Sequence, residues 1–285
     1  LGASGVSASI YAKRSGLNVC VVNYGVPGGI ISTSSIVENY PGIKSISGSD
    51  FAFNLFEHFN SLNIPLYNEE VINIKNGDIK TVITTNNEYK AKKIIICSGR
   101  KPKKLGIKNE DKYMGRGISY CATCDGNLYK NKKVCVVGGG NSALESAIYL
   151  SNICETVYII VRKDKFIGSE SLVKDVLNKD NVVVKFNSVI EEIIGNDVVE
   201  SIKIKGEEIK LSGIFINIGY EPSIGILKGL NLKMDNNYIV VDKNMETSVK
   251  GIYAAGDIIK KDLYQLVTSV SDGAVAATNV FKSIK

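Results

Sequence analysis

Histidine is almost missing from this chain: among 285 residues only His58 carries an imidazole. There is also a single Cys-x-x-Cys pair and no second one, so a four-ligand zinc site lacks ligands. Apolar runs long enough to cross a bilayer, about 18 residues or more, are absent, and a soluble protein is expected. No intact signal peptide is visible, and a cytoplasmic setting is expected. Clustered cations are missing too. The 35 Lys+Arg against 29 Asp+Glu leave a net charge of +6, but the lysines are scattered. That pattern describes a solvated, mildly basic surface and disfavours nucleic-acid binding. Such a surface can still help an acidic redox partner or phosphorylated cofactors to dock.

What is present is 44% apolar content without biased tracts, enough for a sizeable core in one or two domains. Val/Ile-rich strand patterns alternate with amphipathic helical patterns, which points to an α/β fold with a mainly parallel sheet. Two of these units share a register. Leu1-Gly2-Ala3-Ser4-Gly5 becomes GxGxxG with a glycine ahead of Leu1, and it leads into a helical pattern over 6–15 and a strand over 19–22. Further on, a strand over 134–137 precedes Gly138-Gly139-Gly140-Asn141-Ser142-Ala143, a complete GxGxxA, then a helical pattern to about 152 and a strand over 157–161. Placing Gly2 on Gly140 puts Gly5 on Ala143, Ile10 on Ile148, Tyr11 on Tyr149 and Val19 on Val157 without gaps. Small residues in such turns let the backbone approach a pyrophosphate, while the helix N-terminus offers unpaired N–H groups and partial positive charge.

The residue closing each unit bears on which nucleotide binds. NAD sites commonly end the second strand with a carboxylate for the ribose 2′-hydroxyl. Here the second unit ends Ile160-Val161-Arg162-Lys163. Two cations suit a 2′-phosphate, hence NADPH; the alternative is a pair of solvated side chains. In the first unit Asn23 holds the equivalent place, able to hydrogen-bond a ribose but not diagnostic.

Of six cysteines, Cys20, Cys97 and Cys135 lie in β-like apolar runs and Cys154 ends a helix-like segment, so all four are expected to be buried and inert. Cys121 and Cys124 remain as a redox pair in a reducing compartment. A CxxC at the start of a helical turn opens and closes with little backbone change and can make a thiolate available near neutral pH. Asp125 follows directly. Its carboxyl could relay a proton to or from a leaving thiolate; taken alone, it reads first as an N-cap or turn residue. Gly256-Asp257 reads as a strand-end turn whose carboxylate can hydrogen-bond a ribityl hydroxyl, or as a plain turn.

The run Gly115-Arg116-Gly117-Ile118-Ser119-Tyr120-Cys121-Ala122-Thr123-Cys124-Asp125-Gly126, followed by the GGGNSA turn, closely resembles the low-molecular-weight thioredoxin reductases. The resemblance extends through Val37-Glu38-Asn39-Tyr40-Pro41-Gly42, Cys97-Ser98-Gly99, Ile218-Gly219-Tyr220-Glu221-Pro222 and Gly251-Ile252-Tyr253-Ala254-Ala255-Gly256-Asp257, and so covers nearly the whole chain. It implies two Rossmann-like three-layer domains, the second inserted into the first. A FAD-binding domain would comprise 1–103 and 221–285, and an NAD(P)H-binding domain carrying the dithiol would comprise 104–220. Around FAD the resemblance places Gly2, Ser4, Gly5, Asn23, Gly28, Gly29, Ile30, Asn39, Gly256, Asp257, Gln265 and Leu266. Around NADPH it places Gly138, Gly140, Asn141, Ser142, Arg162 and Lys163, and it implies no metal. In the implied mechanism NADPH reduces the flavin and the flavin reduces the Cys121–Cys124 disulfide. Cys124 lies against the flavin, Cys121 attacks the disulfide of thioredoxin or a thioredoxin-like protein, and Asp125 is the acid–base. One domain turns against the other between half-reactions, a motion that Gly99 and Gly219 suit. A homodimer is the family's form.

The chain departs from the family at several points. The family's 2′-phosphate motif HRRxxxR reads Val161-Arg162-Lys163-Asp164-Lys165-Phe166-Ile167 here, so NADH is an alternative donor. Reduced ferredoxin is another, although relatives that use it have lost the glycine turn that this chain keeps. Ile30 stands where Gln is common and Tyr264 where Arg is common, while Gln265 is retained. Two further alternatives are the flavoprotein component of a peroxide-reducing system, which carries an extra N-terminal dithiol domain, and a non-enzymatic flavin sensor that uses the dithiol as a switch.

Overall fold

In the computed structural model, which describes residues 1–34, 36–227 and 229–284, the chain forms two compact units: 1–101 with 222–285, and 102–221. The first unit opens with α1 (Ala3–Arg14), whose Lys13 and Arg14 lie in the last turn, where cations favour the helix dipole. The helix starts inside the glycine motif rather than after it. Its first free N–H groups are therefore those of the motif itself. β1 (Val21–Asn23) follows. Next comes α2 (Gly48–Asn60), capped by Ser47, whose Oγ accepts the Asp50 N–H at 3.0 Å. β2 (Leu66–Asn68) lies parallel to β1 with Val21 opposite Leu66. An antiparallel sheet of β3 (Val71–Lys75), β4 (Lys80–Thr84) and β5 (Glu88–Ala91) precedes β6 (Ile94–Ile96).

The second unit begins with β7 (Ile118–Ser119) and α3 (Ala122–Asp125). It continues through β8 (Lys133–Val137), α4 (Asn141–Ser151), β9 (Thr156–Ile160), α5 (Glu170–Leu177) and β10 (Val182–Lys185). An antiparallel sheet follows, β11 (Glu192–Ile194), β12 (Ser201–Ile204) and β13 (Glu207–Lys210), before β14 (Gly213–Ile216). The main sheet is parallel, in the order β10-β9-β8-β14-β7. Alternation along β8 sorts its side chains to two faces. Val134 and Val136 join Ala143, Leu144, Ala147 and Leu150 of α4, while Cys135 and Val137 join Ile193, Ile202 and Ile209 of the antiparallel layer. Helices, parallel sheet and antiparallel sheet thus make three layers. Because β9 lies to one side of β8 and β14 to the other, strand order reverses between β8 and β14, the place where open α/β sheets bind ligands.

The chain returns to the first unit with β15 (Ile252–Ala254), parallel to β6, and α6 (Leu266–Ile284). α6 lies directly on α1. A Cβ on Gly273 would fall on the Ser4 carbonyl and stand 3.0 Å from the Ala8 nitrogen, so this helix contact is made backbone to backbone. Ala8, Ala12 and Ala277 are buried along it.

The internal duplication is visible in three dimensions. α1 and α4 start at the matched residues Ala3 and Asn141, with extended N-caps Gly2 (φ −102°, ψ −166°) and Gly140 (φ −96°, ψ −179°), neither with a side-chain cap. One cysteine expectation needs correction: Cys20 precedes β1 instead of lying in a strand, and it is exposed. Val19 and Val21 on either side of it pack against the core, so Cys20 faces the other way and is left uncovered. Cys97 is half-buried, whereas Cys135 and Cys154 are buried, the latter in the turn after α4.

Candidate active site

Cys121 and Cys124 are joined by a disulfide, with Cα atoms 5.3 Å apart. Cys121 is the extended N-cap of α3, and its Sγ accepts the Cys124 N–H at 3.1 Å, with Thr123 Oγ1 at 3.4 Å. Gly126 seats this turn on α4: a Cβ there would meet Tyr149 Cε1 at 2.9 Å and Leu150 Cδ2 at 3.1 Å. Asp125 does not cap the following 3-10 turn, Gly126–Tyr129. Instead its Oδ2 accepts from the hydroxyl of buried Ser119 at 2.6 Å, and the same Ser119 Oγ accepts the Cys121 N–H at 3.0 Å. Burial, with the nearby Asp125 charge, pushes the Tyr129 phenol up. Burial, with Glu110 beside it, pushes Tyr120 up to about 12. Burial pushes the thiols of Cys97, Cys135 and Cys154 up, Cys97 and Cys154 to about 11.

In the first unit the glycine motif meets residues from distant segments. A Cβ on Gly29 (φ +70°) would stand 3.0 Å from Gly2 Cα, and one on Gly28 (φ +125°) would stand 2.9 Å from Ala52 Cβ. A Cβ on Gly256 (φ +81°) would fall on Ser4 Oγ, and Gly5 faces Cys97. Asn39 Nδ2 donates to Gln265 Oε1 at 3.0 Å, so two residues 226 positions apart touch. Asn23, at the end of β1, spends its Nδ2 on the Gly25 carbonyl at 2.9 Å. Ile30 opens a half-buried 3-10 turn, Ile30–Thr33, and Leu266 is the first residue of α6.

Asp257 is held from three sides. Its Oδ2 pairs with Arg100 at 2.5 Å, and its Oδ1 accepts from Ser269 at 2.9 Å with Lys261 at 3.4 Å. Lys261 also pairs with Asp272 at 2.8 Å. The Arg100 guanidinium lies over the Tyr264 ring, 4.8 Å from its centroid.

In the second unit Gly138 (φ +143°) abuts Asn217: a Cβ would fall on the Asn217 carbonyl. Asn217 follows β14, and its side-chain Oδ1 is buried with no hydrogen-bond partner among the described residues. Asn141 Oδ1 accepts the Ser169 N–H at 2.8 Å, and Ile167 N–H donates to the Gly139 carbonyl at 2.8 Å, which folds the loop after β9 onto the glycine turn. Val161 is buried, and a Cβ on Gly139 would meet its Cγ1 at 2.9 Å. Arg162 and Lys163, next along, are exposed, as are Asn141 and Ser142. Among the described residues no group of three or more His, Cys, Asp or Glu is placed to hold a metal, and no helix is long and apolar enough to cross a membrane.

The family model of the pyridine nucleotide-disulphide oxidoreductases matches residues 1–273. The thioredoxin reductase of Ureaplasma parvum is 40% identical over 285 residues, covering 97% of this chain and 92% of that protein. The chain belongs to the thioredoxin reductase family. Among solved members, the Lactococcus lactis enzyme superposes with a TM-score of 0.88 at 35% identity over 99% of this chain and 95% of that one. Thioredoxin reductase from T. acidophilum gives 0.87 at 38% identity over 100% and 96%. Thioredoxin reductases of this class use FAD and NADPH. Ser119, Arg100, Lys261, Ser269 and Asn217, which contact the candidate residues Asp125, Asp257 and Gly138, were not singled out by the sequence. Arg100 meets Asp257 across 157 positions, a pairing for which no local pattern exists. Ser119 lies inside the run 115–126, but nothing in its local pattern marks it out.

Proposed function

We propose that this chain is a thioredoxin-disulfide reductase that takes electrons from NADPH by way of FAD and delivers them through Cys121–Cys124 to thioredoxin or a thioredoxin-like protein. The observation that carries the reading is the disulfide at the start of α3, with the Cys124 N–H and the Thr123 hydroxyl both within reach of Cys121 Sγ.

The first unit holds FAD and the second NADPH. Gly2, Ser4 and Gly5 at the uncapped start of α1 take the FAD pyrophosphate, helped by the bare backbone of Gly28 and Gly29. Asn23, Ile30, Asn39, Gly256, Asp257, Gln265 and Leu266 line the rest of that ligand. Gly138, Gly140, Asn141 and Ser142 take the NADPH pyrophosphate at the equally uncapped start of α4, and exposed Arg162 and Lys163 take the 2′-phosphate. When bound, flavin and nicotinamide supply the two-electron chemistry that opens the disulfide.

The remaining steps belong to the chain's own residues. The open pair leaves Cys121 Sγ with two donors, the Cys124 N–H and the Thr123 hydroxyl, which favour its thiolate. That thiolate attacks one sulfur of the partner's disulfide, forming a mixed disulfide, and the partner's second sulfur leaves as a thiolate. Cys124 then attacks Cys121 Sγ, re-forming the intramolecular disulfide and releasing the first partner sulfur. Two electrons leave the enzyme dithiol and enter the partner. Asp125 takes up a thiol proton and returns it to a departing thiolate. The partner works in the cytoplasm, and the enzyme works as a homodimer.

The test is anaerobic. FAD-loaded protein is mixed with NADPH, NADH or reduced ferredoxin, then with a bacterial thioredoxin and a disulfide dye. Rapid flavin bleaching by NADPH followed by thioredoxin-dependent dye reduction is expected. Slow bleaching by NADPH alongside fast bleaching by ferredoxin would remove the donor assignment. Light scattering of the eluted holoenzyme tests the dimer.

A further inference from the structure

Resting on the acid–base reading of Asp125, we infer that Ser119 is a positioning residue that keeps the Asp125 carboxyl hydrogen-bonded beside the dithiol in both of its protonation states. Ser119 is 5% exposed and sits at the end of β7, two residues before Cys121. Three polar groups surround its Oγ. Asp125 Oδ2 lies at 2.6 Å, the Cys121 N–H points at it from 3.0 Å, and the Cys121 carbonyl oxygen is 3.2 Å away.

A hydroxyl has one hydrogen to give and two lone pairs to fill. With Asp125 ionised, the hydrogen goes to the nearer and charged acceptor, Asp125 Oδ2, and one lone pair takes the Cys121 N–H. When Asp125 picks up a proton on Oδ2, the carboxylic acid becomes a donor. The Ser119 hydroxyl then turns its hydrogen to the Cys121 carbonyl and receives the Asp125 O–H on its second lone pair. Neither state leaves Ser119 or Asp125 Oδ2 without a partner, and no heavy atom has to move. The proton enters Asp125 from a thiol of the reduced pair and leaves to the partner thiolate, so the hydroxyl turns back as the cycle closes.

An ordinary turn-fixing serine would also bind the Cys121 N–H. The second acceptor and the carboxylate on the same oxygen distinguish the proposed role, and a double-mutant cycle separates the two. Four variants of the FAD-loaded enzyme are compared with wild type: Ser119→Ala, Ser119→Thr, Asp125→Asn and the Ser119→Ala/Asp125→Asn double variant. Steady-state turnover of a bacterial thioredoxin and anaerobic flavin reduction by NADPH are both read. Ser119→Ala is expected to lower kcat roughly tenfold, the loss of one hydrogen bond to a charged group, with KM for thioredoxin and the flavin reduction rate unchanged. Ser119→Thr, which keeps the hydroxyl, is expected to recover most of that loss. In the Asp125→Asn background Ser119→Ala is expected to add nothing.

Equal losses from Ser119→Ala in both backgrounds would overturn the inference, as would a Thr variant no better than Ala or a wild-type kcat in Ser119→Ala. A wild-type kcat in Asp125→Asn would remove the acid–base reading itself, whatever Ser119 does.

Discussion

Gly29 stands against Gly2 so closely that a methyl group on Gly29 would lie 3.0 Å from the Gly2 Cα. Space and backbone conformation both demand glycine there, since φ is +70°. Gly29→Ala is therefore expected to push the loop off the start of α1 and to weaken FAD binding by about tenfold, the effect of roughly 1–2 kcal/mol of strain at a positive φ with extended ψ that only glycine adopts readily. Titrating flavin-stripped protein with FAD by calorimetry measures it; an unchanged affinity would separate Gly29 from the flavin site.

Cys124→Ser should abolish thioredoxin reduction while leaving anaerobic flavin bleaching by NADPH intact, because electrons can still arrive but the pair can no longer close. Undiminished disulfide reduction by this variant would count decisively against the dithiol relay.

Lys261 and Asp272 are each only 12% exposed as side chains and lie 2.8 Å apart. Lys261→Met strands the Asp272 carboxylate and removes one of the three groups on Asp257. A loss of about 2–3 kcal/mol in urea unfolding of the holoenzyme is expected, since an orphaned buried charge costs more than the pair is worth. Pairing Lys261→Met with Asp272→Leu should recover part of it.

Asn217 makes opposite predictions for free and liganded protein. Removing a buried carbonyl oxygen that has no partner among the described residues, by Asn217→Ala, should leave the unliganded protein no less stable and up to about 1 kcal/mol more so. If Asn217 Oδ1 receives a hydroxyl or carboxamide donor of NADPH at the strand-order reversal, the same change weakens NADP⁺ binding, read by calorimetry. Asn217→Asp should then bind at least as well as Asn217→Ala.

Two thiols contribute to the alkaline limit. Burial raises Cys97 and Cys154 from 9.0 to about 11. The fold favours their protonated forms, so this stabilisation is complete below pH 9 and is lost as pH rises through 11. The urea midpoint is expected to fall across that window, and less steeply in Cys154→Ala than in wild type.

Much of this was open to reading in the sequence. The repeated small-residue turns, the strand over 134–137 and the CATCDG run are local patterns, and local patterns survive without coordinates. The register between Gly2 and Gly140 carries through to helices that start at the matched residues Ala3 and Asn141, although the helical pattern in the sequence begins only at Val6. Reading was weaker where exposure depends on neighbours: Cys20 looked like a buried strand residue and is exposed.

Sequence alone determined the chemistry of the dithiol, because Cys121, Cys124 and Asp125 lie within five residues and their spacing is their geometry. Tertiary structure alone decided what surrounds it and what holds Asp257. Tyr149 and Leu150 of α4 meet Gly126 behind the dithiol, and Arg100 and Ser269 reach the Asp257 carboxylate from 157 and 12 positions away. Hydrogen bonds and charge pairs act over a few ångströms, so contacts between distant segments leave no periodic trace in the chain, whereas backbone turns and hydrophobic alternation do.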